Sequence, residues 1–337
     1  MAIESSCDDT AAAVLKNDTI LSNLTSTQTI HEQYGGVVPE LASRAHQQHI
    51  VPVVDAAIKQ AHISLSEIDA IAYTRGPGLM GSLVVGTSFA KALSLALNKP
   101  LLDVHHMHGH ILSHFINEGQ EIPKFPFICL TVSGGHTQLV VVHSPTNLEI
   151  KGSTIDDAAG EAFDKIAKII GLPYPGGPLV DKLAQEGNPN AFTFSKPQVS
   201  GYDYSFSGLK TSVLYFLQKQ VSLDPQFIEK NKADLCASVQ QTILDILFKK
   251  LELLVKDTGI QEVAIAGGVS ANSGLRERLK LVGQQKKWRV YIPKFAYCTD
   301  NAAMIAMAGK FLYDAGLFGD QSQGAEARLP FIRTWNQ

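Results

Sequence analysis

The feature that most restricts the fold of this chain is a plan that occurs twice: a short strand, a small polar turn, then a second strand of aliphatic residues. It opens the chain in AIESSCDDTAAAVL (2–15) and returns in FICLTVSGGHTQLVVV (127–142), where Ser133-Gly134-Gly135 is the turn. A second plan is also doubled. IDAIAYTRGPGLMGSLVVGTSFAKALSLAL (68–97) reads as a strand over Ile68–Thr74, a Gly-Pro-Gly turn and a helix to about Leu97, and EVAIAGGVSANSGLRERLK (262–280) repeats strand, glycine pair and helix, with Ser270 or Asn272 as its cap. Strand–glycine–helix units belong to α/β chains with parallel pairing. Two copies of each plan within 337 residues predict two related lobes.

Composition removes several function classes. A net charge of −3 offers no global basic field for nucleic acid, so RNA contact would need a local patch. The one basic run, RERLKLVGQQKKWR (276–289), gathers six cations and a tryptophan on a helix and loop. Cys7, Cys129, Cys236 and Cys298 form no C-x-x-C pair, which predicts neither a disulfide framework nor a zinc knuckle and fits a reducing cytoplasm. The polar, acidic start and the lack of an 18-residue apolar run predict a protein that is neither exported nor membrane-spanning.

Glycine turns between a strand and the next element leave backbone N–H groups aimed at open space, where phosphate oxygens can accept them. This chain has Gly76-Pro77-Gly78, Ser133-Gly134-Gly135, Gly176-Gly177 and Gly267-Gly268, three of them after expected strands, a pattern that points to a nucleotide cleft. Neither the P-loop nor the Rossmann fingerprint is present.

VHHMHGH (104–110) holds four of the eleven histidines. His106 and His110, spaced i, i+4, share one face of a helix and reach a single ion, whereas His105 and His108 point elsewhere. Two ligands are too few, so a carboxylate must come from a distant segment. Asp300 in YCTDNAAM is one candidate, since a helix start can present it into a cleft, with a helix N-cap as an equally good local reading. Met107 stands where a zinc peptidase carries the glutamate of H-E-x-x-H, which argues against peptide hydrolysis. Acidic residues cluster at Glu4, Asp8 and Asp9 and in DDAAGEAFDK (156–165).

Taken together, ESSCDDT, YGGVVPELASRAH, RGPGLMGSLVVG, HHMHGH, VSGGHTQL, DDAAGEAFDK, YPGGP, SFSGLKT, AGGVSAN and CTDNAAM closely resemble the tRNA adenosine threonylcarbamoyltransferase family of the bacterial TsaD type, and they stand in family order from residue 4 to about 305. The resemblance implies an actin-like ATPase fold, shared with sugar kinases and heat-shock chaperones, with two lobes around a nucleotide cleft. The lobes are expected at 1–115, completed by a C-terminal helix over 297–337, and at 116–296. It also implies transfer of threonylcarbamoyl from threonylcarbamoyl-adenylate to the N6 amine of the adenosine beside the anticodon, in tRNAs that read codons starting with A.

Residue by residue, the resemblance places one divalent ion, iron, with zinc and magnesium as alternatives, on His106, His110 and Asp300. It places the adenylate on Thr131, Val132, Ser133, Gly134, Gly135, Asp164, Gly177, Asp181 and Asn272. Asp8 or Asp9 is the expected proton acceptor. Implied partners are the tRNA anticodon loop, an inactive paralogue subunit of the TsaB type and a small ATPase of the TsaE type, with a homodimer as the alternative assembly. Two departures stand out: the apolar residues that usually precede IESSCD are few here, and position 108 is His where Glu is common. Two other readings remain at this point, an ATP-dependent small-molecule kinase of the same fold and a catalytically inactive nucleotide-binding scaffold.

Overall fold

The computed structural model describes residues 1–332. The chain forms two compact units, the first from Met1–Pro123, Ser144–Leu148 and the segment from Pro293 onward, the second from Lys124–His143 and Glu149–Ile292. The expected division at 115/116 and 296/297 therefore falls at 123/124 and 292/293. Local bonds explain the shift: Ile116 is fully buried, Asn117 N donates to Asp18 O at 2.8 Å, and Glu118 accepts from the Tyr297 hydroxyl and pairs with Lys294.

The first unit opens with β1 (Ala2–Glu4), β2 (Asp9–Lys16) and β3 (Thr19–Thr27), followed by α1 (Pro39–Gln60), β4 (Ile71–Gly76), α2 (Met80–Leu97), β5 (Leu101–His105) and α3 (His106–Leu112). Its sheet order is β3-β2-β1-β4-β5, with β1 antiparallel to β2 and parallel to β4. Successive strand residues face opposite sides. Ile3, Ile71 and Tyr73 accordingly share a buried cluster with Ile50, Val54 and Ala57 of α1 and Ala90 of α2. α2 has the length and mean hydropathy, 1.4, of a membrane span, and 33% of it is buried in the fold. Its buried face is built from Ser82, Leu83, Gly86, Thr87, Ala90 and Ser94, small enough to lie close to β1 and β4.

The second unit contains β6 (Phe127–Val132), β7 (Thr137–Ser144), β8 (Asn147–Ser153), α4 (Ala159–Ile170), α5 (Gly176–Ala184), α6 (Ser207–Leu223), the short α7 (Phe227–Lys230), α8 (Lys232–Thr258), β9 (Glu262–Ala266), α9 (Ser273–Lys286) and β10 (Arg289–Tyr291). The sheet order is β10-β9-β6-β7-β8; β6 is antiparallel to β7 and parallel to β9. Every residue of β6 is buried, as a near-continuous apolar run requires of a central strand covered on both faces. α8 is the core helix of this unit and ends at Gly259 in the left-handed region (φ 72°), where the N–H closes onto Val255 O.

The two sheets share one strand order: a central strand, two antiparallel neighbours on one side and two parallel strands on the other. The doubled plan in the sequence is thus doubled in space.

α6 starts at Ser207, where the Asp156 carboxylate accepts from Phe206 N, Ser207 N and Ser207 Oγ. Two local expectations change. The strand expected from Ile68 starts at Ile71, because Ser64–Glu67 form a capped 3-10 turn that runs up to Ile68. The last helix, α10, spans only Ala302–Asp314; 315–332 is turns and extended chain, and 333–337 lies outside the described residues.

Candidate functional site

In the first unit β5, buried along its whole length, runs directly into α3. The His105 side chain caps that helix by accepting from Met107 N at 3.2 Å. The next turn brings His106 and His110 side by side, ring centroids 4.8 Å apart and nearly perpendicular. Asp300 meets them from just ahead of α10. The helix cap itself is Asn301, which accepts from Met304 N at 3.0 Å, so the carboxylate of Asp300 is not used as a cap.

Asp300 Oδ1 lies 3.2 Å from His110 Nε2 and 3.4 Å from His106 Nε2. Ligand bonds of about 2.0–2.1 Å in tetrahedral geometry put donor atoms roughly 3.4 Å apart, which the two histidine–carboxylate separations match, and all three donor atoms lie within 4.8 Å of one another, a group able to close on one first-row ion. Two imidazoles and one carboxylate with open positions is a donor set that suits non-haem iron(II), and zinc next. His110 Nδ1 is buried without a hydrogen-bond partner among the described residues, so its ring has only the Asp300 side to turn to.

The surroundings hold these ligands firmly. Glu4, fully buried at the end of β1, places Oε2 3.1 Å from His106 Nδ1 while Thr74 Oγ1 and Ser6 N each donate to its carboxylate at 2.5 Å. Burial disfavours the charged imidazolium of His106, yet Asp300 and then Glu4 outweigh it and hold this ring well above the ordinary histidine range. Burial prevails at His110 and pushes it down, against its bond to Asp300. For Asp300 itself burial is overcome by His106 and then His110, which keep the carboxyl far below the usual range.

Asp8 and Asp9 close the turn after β1. The Cys7 carbonyl accepts from His46 Nε2 and Ser82 Oγ, both at 2.9 Å, and His46 Nδ1 meets Thr10 Oγ1 at 2.7 Å. Gly78 lies so close that a Cβ there would overlap Ser6 O. Asp9 Oδ1 is buried with no partner among the described residues. Burial foremost, with Asp8, Asp300 and Glu4 adding repulsion against a bond from Thr27, pushes the Asp9 carboxyl up to about 7.

In the second unit Thr131 and Val132 end β6 and Ser133-Gly134-Gly135 turn the chain, closed by Ser133 N donating to His136 O at 2.8 Å and His136 N to Ser133 Oγ at 3.0 Å. A Cβ on Gly134 or Gly135 would meet nothing within 4 Å, so this turn faces open space. The first turn of α4 abuts it: a Cβ on Gly160 would lie 2.5 Å from Ser133 O. The remaining adenylate candidates are bound to one another's helices. Asp164 accepts from Gly176 N and Gly177 N, both at 2.9 Å, and burial pushes its carboxyl up against those bonds. Asp181 accepts from Ser273 N and Oγ; Asn272 caps α9 by accepting from Leu275 N at 2.9 Å and donates to Gln240 at 2.7 Å. Asp164, Asp181 and Asn272 therefore fix α4, α5 and α9 around the glycine turns.

Glu4, His46 and Ser82 are the site residues that sequence reasoning missed. Glu4 stood in view as part of an acidic cluster, but only its burial separates it from a solvated charge. The basic run 276–289 is largely spent on local partners: Arg276 on Ser270 O, Arg278 on Asp245, Lys286 on Glu252 and Arg289 on Glu262.

The profile of TsaD, tRNA N6-adenosine threonylcarbamoyltransferase, matches residues 19–307. A protein of that name from Christiangramia forsetii is 61% identical over 332 residues, 98% of each chain, and one from Porphyromonas gingivalis is 63% identical over 321 residues, 94% of each. Among solved structures, HypF of T. kodakarensis superposes with a TM-score of 0.62 over 94% of this chain and 48% of its own, at 14% identity, a likeness of fold alone. The doubled sheet order is that of the actin-like ATPase fold. With the profile matching residues 19–307 and relatives matching 94–98% of the chain, this chain belongs to the tRNA N6-adenosine threonylcarbamoyltransferase family.

Proposed function

We propose that this chain transfers the threonylcarbamoyl group of threonylcarbamoyl-AMP to the N6 amine of the adenosine next to the anticodon, in tRNAs reading codons that start with A, and releases AMP. The observation that carries the reading is the convergence of His106, His110 and Asp300 on one point in a member of this family. A divalent ion held there, iron first by its donor set, would supply Lewis-acid stabilisation of the charge that grows on the departing phosphate. The Ser133–Gly135 turn, where a side chain would meet only open space, lets an adenylate approach the backbone. The target base, splayed from a single-stranded loop, brings its amine nitrogen to the carbamoyl carbon. The new C–N bond forms as the C–O bond to phosphate breaks, and one amine proton passes to Asp9, whose carboxyl titrates near neutrality and has a bare buried oxygen.

The reading includes partners and place. Met80, Val84 and Leu95 of α2 and Val51 of α1 leave an apolar face 46–68% exposed, which suits a TsaB-type paralogue or a second copy, with a small TsaE-type ATPase completing the assembly. Four free cysteines accord with the cytoplasm. No observation favours the kinase or the inactive scaffold.

The test is reconstituted transfer from purified adenylate to an anticodon stem-loop, with the partner proteins added. His110→Ala is expected to lose at least 100-fold in rate with its melting temperature retained; near-normal transfer by that variant removes the metal from the mechanism.

A further inference from the structure

The outer side of α3 has a task that ligation does not explain. His105 Nε2 lies 3.3 Å from Leu329 O, and His108 Nε2 lies 2.9 Å from Phe331 O. The Phe331 ring stands edge-on to both imidazoles, at centroid distances of 5.3 and 4.7 Å. The same segment is fastened upstream: Arg75 Nε donates to Gly324 O at 3.0 Å, Glu326 N donates to Arg75 O at 2.9 Å, and the Arg75 guanidinium bridges Glu326 and the buried Asp103. Gly78 N then donates to Ala327 O at 3.2 Å. Two routes thus run from this segment to His106. One passes through the backbone of α3. The other passes through Gly78 to Ser6, whose Oγ is 3.2 Å from His106 Nδ1.

We propose that residues 324–331 are a brace that sets the geometry of the His106, His110 and Asp300 site, with His105, His108 and Phe331 as its positioning residues. The inference rests on the metal reading above. α3 has seven residues, about two turns, too few to hold an orientation by its own hydrogen bonds. What packs against it decides: α10 on one side, where a Cβ on Gly109 would lie 2.9 Å from Ile305, and the brace on another. With side chains reaching roughly 5–6 Å from the helix axis, a 20° roll of α3 would shift an imidazole nitrogen by on the order of 2 Å. Metal–ligand distances tolerate about 0.2 Å. His108 Nε2 faces a carbonyl and donates to it.

The test measures Fe2+ affinity of the full chain anaerobically, by competition with a chromophoric chelator. The variants are His105→Ala/His108→Ala and Phe331→Ala, with Val213→Ala in the core of the second unit as a destabilised control. The brace variants are expected to lose tenfold or more in affinity, as outer-shell changes do, with the control within twofold of wild type. In the metal-free protein their α3 amides are expected to exchange hydrogen faster while those of α10 hold. Brace variants that bind within twofold of wild type, or exchange at α3 as wild type does, overturn the brace alone. Wild-type protein that takes up no Fe2+ overturns the metal reading and the brace with it. If the double variant does not fold, Phe331→Leu carries the same comparison.

Discussion

Glu4 Oε2 lies 3.1 Å from Nδ1 of His106, and neither side chain has room to turn away. The carboxylate accepts the Nδ1 proton, which leaves Nε2, on the Asp300 side of the ring, as the nitrogen that an ion would take in place of a proton. Glu4→Gln keeps the volume and removes the charge. Metal affinity measured by chelator competition should fall 10- to 100-fold. Binding unchanged in this variant means that the ring is oriented by Ser6 and the backbone instead.

Asp9 predicts a pH profile. As a base its carboxyl must be ionised, so the transfer rate with saturating adenylate should rise with pH through about 7 and level off above it. Asp9→Asn should flatten that limb and lower the plateau by roughly 10²–10⁴-fold. A variant that keeps the limb assigns it to another group.

The same residue predicts a stability slope of the opposite sense. Its folded pKa lies above the unfolded value of about 3.9, so between those values the folded chain binds the extra proton and stability falls as pH rises. The contribution is fully present below about pH 4 and lost above about 7. Urea midpoints of Asp9→Asn should lack the part of the slope that the wild type shows across this window.

Asn272 is first of all a helix cap. Asn272→Ala leaves Leu275 N and Gln240 without their partners in a buried place, at a cost of about 1–3 kcal/mol. Chemical denaturation reads the loss. An unchanged midpoint with weakened adenylate binding would make it a substrate contact before a structural one.

Gly78→Ala is expected to disturb the metal site from a distance. The added methyl overlaps Ser6 O, and Ser6 in turn holds Glu4 and His106. Lower thermal stability together with weaker metal binding is the expected pair of results; loss of stability alone confines the effect to the turn.

Much of the frame was legible because it rests on local pattern. Aliphatic runs marked the hairpins, and glycines marked the strand ends, since each copy of a plan is complete within about fifteen to thirty residues. The i, i+4 spacing of His106 and His110 is likewise a property of one helix. Asp300 could be joined to them only through the family motifs, as no local rule links residues 190 positions apart. The burial of Glu4 and the reach of His46 to the Cys7 carbonyl were not legible, because an acid or a histidine in a polar stretch reads the same whether it faces water or a core. The boundary residues 116–123 escaped for a related reason: their attachments to Asp18 and Tyr297 are distant in sequence.

The shared strand order of the two sheets has an electrostatic consequence. At the end of the central strand one hairpin presents the carboxyls of Asp8 and Asp9, and the other presents Gly134 and Gly135, where a side chain would meet only open space. One scaffold, used twice, thus carries acidic side chains in one copy and side-chain-free backbone in the other at the same topological position, by the choice of a few turn residues.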